Sequence, residues 1–196
     1  MHAALQKKAN ENLAESSGEV TTEGIPGWIP GLPSAIPFTW CLKNIPLADD
    51  ICTYANSPVT THWFNCNGTW YYGTVISAGI GYGPSVSVSG DQITGNVQHQ
   101  ANVDLFYDPD NDCFAVKFSS GGVEGCVGEE CVPNLPSPTA SITKLANALY
   151  DVGHSLATGM YDQLGYTPSS EVIVATAVFF AVVLAFGVAA GAPAGV

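Results

Sequence analysis

Residues 172–192 read VIVATAVFFAVVLAFGVAAGA, with no charge and a single hydroxyl, Thr176. At a rise of about 1.5 Å per residue such a run spans roughly 31 Å as a helix, which matches the hydrocarbon core of a bilayer. A surface helix of a soluble domain shows a polar face, and this one shows none. The environments that accept it are lipid or the core of an oligomer, and either one predicts that the chain is not a free soluble monomer. The length and apolarity predict a C-terminal transmembrane helix over 171–192. Within it Ala177, Ala181 and Ala185 recur at four-residue intervals, followed by Gly187 and Gly191. Small residues so spaced let helices approach closely in lipid, so the expected partners are membrane lipid and other membrane helices or copies of the chain.

The rest of the chain is poor in charge. Seventeen acidic residues face five lysines, arginine is absent, and the formal net charge is −12. Without guanidinium forks, and with a repulsive net charge, nucleic-acid binding is excluded as an expectation. Charged residues make up 11% of the chain, against about 25% in ordinary globular domains. Gly, Ser, Thr, Asn and aromatics fill their place, as in extracellular β-proteins.

Six cysteines, Cys41, Cys52, Cys66, Cys113, Cys126 and Cys131, all fall in the middle of the chain. An even number confined to one domain favours disulfides. No Cys-x-x-Cys is present and the four histidines are scattered, so zinc and haem attachment lack their spacing. Proximity along the chain favours Cys41–Cys52, Cys66–Cys113 and Cys126–Cys131. Asn67-Gly68-Thr69 is a glycosylation sequon, and equally a hairpin turn signal. Residues 1–24 hold no apolar stretch of the secretory kind, while Ala190-Gly-Ala192-Pro-Ala194 resembles a signal-peptidase exit. The expected location is a membrane, single-pass, with the β-domain on the exterior or virion-surface side.

The expected organisation begins with a polar segment (1–24) and an apolar strap (25–37) whose prolines bar it from a central strand. The next unit is 38–132, and from Phe38 to Phe118 it shows the period of two that marks half-buried strands. In Cys113–Phe118, for example, Phe114, Val116 and Phe118 share one face and Cys113 and Lys117 the other. This predicts a mainly β, antiparallel, disulfide-stapled domain of six to eight strands, closed as a sandwich or small barrel. Glycines 73, 79, 81 and 83 read as bulges or a bend. A Pro-rich connector (133–140) leads to an amphipathic helix over 141–166, with Ile142, Leu145, Leu149, Val152, Leu156, Met160 and Leu164 on its apolar stripe.

Chemistry is sparse. Asp108, Asp110 and Asp112 open like a calcium loop, but Cys113 and Ser119 stand where an EF-hand needs Gly and Glu; an acidic turn is the default reading. Gly79-Ile-Gly81-Tyr-Gly83 lacks the lysine and helix of a phosphate loop. No nucleophile motif is present, no cofactor is implied, and a hydrolase built on Asp104 or Asp112 ranks last. The leading expectation is a non-enzymatic, membrane-anchored structural protein, a repeated or accessory subunit of a surface assembly such as a virion membrane. The alternative is a membrane-tethered β-barrel binding module for a lipid, glycan or receptor, using an aromatic rim of Trp63, Trp70, Tyr71, Tyr72 and Tyr82.

Overall fold

A computed structural model describes residues 38–43, 49–56, 59–136 and 141–191. The polar segment 1–24 and the strap 25–37 lie outside the described residues, as does part of the connector. Among the described residues nine strands come first: β1 (Phe38–Leu42), β2 (Asp50–Ala55), β3 (Thr60–Cys66), β4 (Thr69–Gly83), β5 (Ser85–Ser89), β6 (Gln92–Asn96), β7 (His99–Asp108), β8 (Cys113–Ser120) and β9 (Val123–Cys131). Three helices follow: α1 (Ile142–Ala148), α2 (Tyr150–Leu164) and α3 (Ser170–Gly191).

Seven strands form one antiparallel sheet in the order β1-β2-β4-β7-β8-β9, with β3 also paired to β4. The long β4 serves both: Thr69–Val75 pair with β3, and Ala78–Gly83 with β2. The β5–β6 hairpin is a separate two-stranded sheet. The alternation written in the sequence decides which side chains face which layer. Ile76, Ala78 and Ile80 of β4, Val103, Leu105 and Tyr107 of β7, and Phe114, Val116 and Phe118 of β8 point to the main core. The layer that covers them is helical, not a second sheet.

The opposite face is divided. At one end Phe64, Val75, Phe106 and Ala115 form a small cluster around Cys66 and Cys126. At the other, Val86 and Ile93 of the β5–β6 hairpin cover Cys52 and Tyr54. The glycines of β4 do not interrupt the strand. A Cβ at Gly73 would collide with Phe106 and one at Gly79 with the Tyr54 ring, so both leave room for aromatics crossing this face. The irregularity lies instead in the β8–β9 pairing, between Phe114 and Val116.

The disulfides are Cys41–Cys52, Cys66–Cys126 and Cys113–Cys131. The first pair follows chain proximity; the other two correct it. Cys126 and Cys131 lie in one extended strand, where five residues at roughly 3.3 Å each set them far beyond bridging reach. Cys113 stands directly opposite Cys131 in the β8–β9 ladder. Cys66 ends β3 and meets Cys126 of β9, Cα to Cα 5.4 Å. The strands β3, β4, β7, β8 and β9 therefore curl until their outermost members touch, and the sulfur bridge closes them at that end.

The expected amphipathic helix is two helices that share Leu149 as the end of one and the start of the next. Its stripe is used as read: Leu145, Leu149, Leu156 and Met160 are fully buried. Ser141 caps α1 by accepting from the Lys144 amide at 3.1 Å. Gly165, in the left-handed conformation at φ 77°, stops α2.

The apolar helix α3 is long and hydrophobic enough to cross a membrane: an 18-residue window within Ser170–Ala190 has a mean hydropathy of 2.8, and 83% of that window is buried inside the fold. It lies on β2, β4 and β7 on one side, with α1 and α2 against it on the other. That two-sided cover accounts for the missing polar face. Its hydroxyl is matched as well: Thr176 donates to the Val172 carbonyl at 2.8 Å and meets the Tyr161 hydroxyl of α2 at 2.7 Å. The small residues serve this packing. Ala177, Ala181 and Ala185 are fully buried, Gly153 of α2 lies against the backbone of Ala177 and Ala181, and Gly187 faces Ile76 and Thr74 of β4. Gly191 is the last residue of α3.

Candidate interaction surfaces

The β3–β4 hairpin carries the largest exposed apolar side chains among the described residues. Trp63 and Tyr72 stand opposite each other in the ladder, with their rings edge to face at 5.3 Å, and Trp70 lies opposite Asn65. Their exposures are 62% for Trp63, 61% for Trp70 and 52% for Tyr72. They share the face that bears Thr74 and Ile76 further along β4, so they extend the helix-covered side of the sheet past the Gly187 end of α3. The hairpin is rigid. Asn67 (φ 53°) and Gly68 (φ 91°) give both central residues of the turn positive φ, as a two-residue primed turn requires. The Asn67 amide also donates to the Cys126 carbonyl at 3.0 Å, beside the disulfide. The sequon asparagine is thus an exposed turn residue whose side chain holds the hairpin to β9.

The other members of the expected rim lie elsewhere. Tyr71 points to the opposite face, near Phe106, and Tyr82 is buried beside Tyr161. Burial, with Tyr166 and Asp49 adding to it, pushes the Tyr82 phenol well above its usual range.

Two carboxylates of the Asp108–Asp112 turn, those of Asp108 and Asp112, are engaged internally, while Asp110 is exposed. Asp108 accepts from the Asp110 amide at 3.0 Å and from the Asn111 side chain at 2.9 Å. Asp112 accepts from the Tyr107 hydroxyl at 2.7 Å. Burial raises the Tyr107 phenol, and that hydrogen bond raises it further. This is a self-satisfied turn between β7 and β8. Cys113, Glu129 and Cys131 also lie close together, but the two sulfurs are bonded to each other and offer no thiolate to a metal.

Two clefts remain. One, about 460 Å³, opens between Asp49, Tyr82, Gln98, His99 and the Thr167–Ser169 link before α3; the His99 ring there lies 3.8 Å from that of Tyr166. The other, about 350 Å³, lies on the sheet face turned away from the helices and is lined by polar residues of β3, β7, β8 and β9. The sequence signal for it is the polar half of each alternation, Asn102 and Asp104 in β7 and Lys117 and Ser119 in β8. It was legible as a face but not as a cleft, because only the curl of the sheet brings β3 and β9 to it. Compared with family models, curated proteins and solved structures, the chain finds no match in any of the three.

Proposed function

We propose that the protein is a non-enzymatic structural subunit of a surface assembly, one that persists in an oxidising space and meets its partners through the β3–β4 hairpin. The observation that carries this reading is the exposed cluster of Trp63, Trp70 and Tyr72 on a disulfide-pinned hairpin. Large aromatics are enriched in interface cores, and rigid ones lose little freedom on binding. Three disulfides favour a location outside a reducing cytosol. In this reading α3 is the central core element of the fold, and the apolarity that would suit lipid serves packing.

A second reading, a single-pass anchor with the β-domain on the exterior or virion-surface side, draws support from the length and hydropathy of α3. It carries a physical cost. Withdrawing α3 uncovers Ile51, Ile76, Ile80 and Leu105, all at or below 2% exposure in the fold. At about 1.5–3 kcal/mol for each such side chain, that loss rivals the roughly 5–15 kcal/mol that holds a domain folded. The anchored form would need another cover for the same face.

The test of the assembly reading is the size of the native complex formed by the full chain, by light scattering after size exclusion. Wild-type protein should run in complexes larger than one chain. A Trp63→Ser, Tyr72→Ser double variant with unchanged melting temperature should run as single chains. An unaltered complex in that variant would remove the hairpin from the interface.

A further inference from the structure

We propose that the 350 Å³ cleft on the helix-free face is a binding site for a neutral sugar unit. It lies between two apolar plugs, the Phe64–Phe106 cluster pinned by Cys66–Cys126 and the Tyr54 cluster under the β5–β6 hairpin. Between them the lining turns polar: Asn102, Asp104, Lys117, Ser119 and Glu124 converge from three strands. Polar groups gathered in the mouth of a curled sheet are the usual setting of a small-ligand site.

The side chains are held before any ligand arrives. Ser77 donates to one oxygen of Asp104 at 2.7 Å, and the Tyr54 hydroxyl donates to the Asn102 side-chain oxygen Oδ1 at 3.3 Å. Those bonds leave the second Asp104 oxygen and the Asn102 amide hydrogens for a ligand. Lys117 stands over the Phe64 ring at 5.3 Å, directly across the ladder from Asp104. Because these groups sit on paired strands rather than loops, little ordering is left for binding to supply.

The ligand class follows from the balance of groups. An amide, a hydroxyl, one ammonium and two carboxylates offer donors and acceptors in similar number, which suits adjacent hydroxyls that both give and receive. An apolar ligand would strip these groups of water without replacing it. A polyanion would meet Asp104, Glu124 and a chain of net charge −12. The volume is at the small end of the roughly 300–1,000 Å³ of ligand sites, room for a mono- or disaccharide unit.

The inference is independent of the hairpin reading, since Trp63, Trp70 and Tyr72 lie on the other face. Its test is an array of neutral glycans probed with the oxidised full chain. The strongest hit is then titrated into isotope-labelled wild-type protein, and into Asp104→Asn and Ser119→Ala. Asp104→Asn keeps an acceptor for Ser77 and changes only the charge and the free oxygen. Amide shifts centred on residues 102–104 and 117–119, with at least tenfold weaker binding in a variant that keeps its melting temperature, would support the site. An array with no neutral hit would overturn it. So would shifts centred on the β3–β4 hairpin, or equal affinity in both folded variants.

Discussion

Replacing Gly153 by alanine separates a folded-in α3 from a withdrawn one by the sign of the effect. In a helix free of close neighbours, alanine is better than glycine by about 1 kcal/mol. In the fold, the new Cβ would press on the Ala177 carbonyl oxygen and lie 3.1 Å from the Ala181 amide nitrogen. Both are backbone atoms of α3, so no side-chain rotation relieves the contact and α2 has to move off α3. Overpacking of that kind costs about 1–3 kcal/mol. A backbone obstacle places it at or beyond the upper end, for a net loss of about 2 kcal/mol after the helix gain. With an unfolding slope of about 2 kcal/mol/M in urea, the midpoint should fall by about 1 M. The control is Gly159→Ala on the same helix, where the new Cβ meets the Val127 methyl carbons at 2.9 and 3.0 Å. That side chain is able to shift, so the control should stay within about 1 kcal/mol of wild type. The assay is urea unfolding followed by far-UV circular dichroism with the disulfides intact. A Gly153→Ala protein as stable as wild type, or more stable, would refute the packing of α2 on α3.

Three further outcomes are expected. Removing the Cys66–Cys126 bridge with a Cys66→Ser, Cys126→Ser pair opens a separation of 60 residues; chain entropy puts the loss at about 4 kcal/mol, read as a lower unfolding midpoint. Thr176→Val strands the buried Tyr161 hydroxyl at a cost of about 1–3 kcal/mol, and a double-mutant cycle with Tyr161→Phe should recover part of it, because the second change removes the orphaned group. Stability should also fall at alkaline pH. Burial first, and Asp151 second, raise Tyr150 from 10.0 to about 12, and burial likewise lifts Tyr161. The unfolded chain therefore loses these protons before the folded one. The contribution is whole below pH 10.0 and drains away as pH rises toward about 12, which a pH series of unfolding midpoints with tyrosinate absorbance would follow.

Much of the architecture could be read from periodicity. The split of Phe114, Val116 and Phe118 from Cys113 and Lys117 is the split between core and open face, and Leu145 to Met160 form the buried stripe of α1 and α2. What periodicity reports is a face, not its neighbour. Hydropathy along 172–192 carries no direction, so it cannot separate lipid from a core closed on both sides. The sulfur pairing escaped for the same reason. Cys126 and Cys131 are close in sequence but spread along one strand, while Cys66 reaches Cys126 only through the curl of five strands. Tyr82 and Trp63 are alike as β-favouring aromatics, and only the placement of the helical layer, with Tyr161 of α2 beside Tyr82, buries one and leaves the other in water. The polar cleft was half visible, as alternating Asn102 and Asp104, and is a cleft only because the curl of the sheet brings β3 and β9 to it.

The most direct measurement is flotation of the oxidised full chain with liposomes in the absence of detergent. A helix held between the sheet and α1–α2 predicts that the protein stays in the dense fraction, soluble and with all six cysteines bridged. Flotation with the vesicles that survives alkaline carbonate would contradict the account and return α3 to the bilayer.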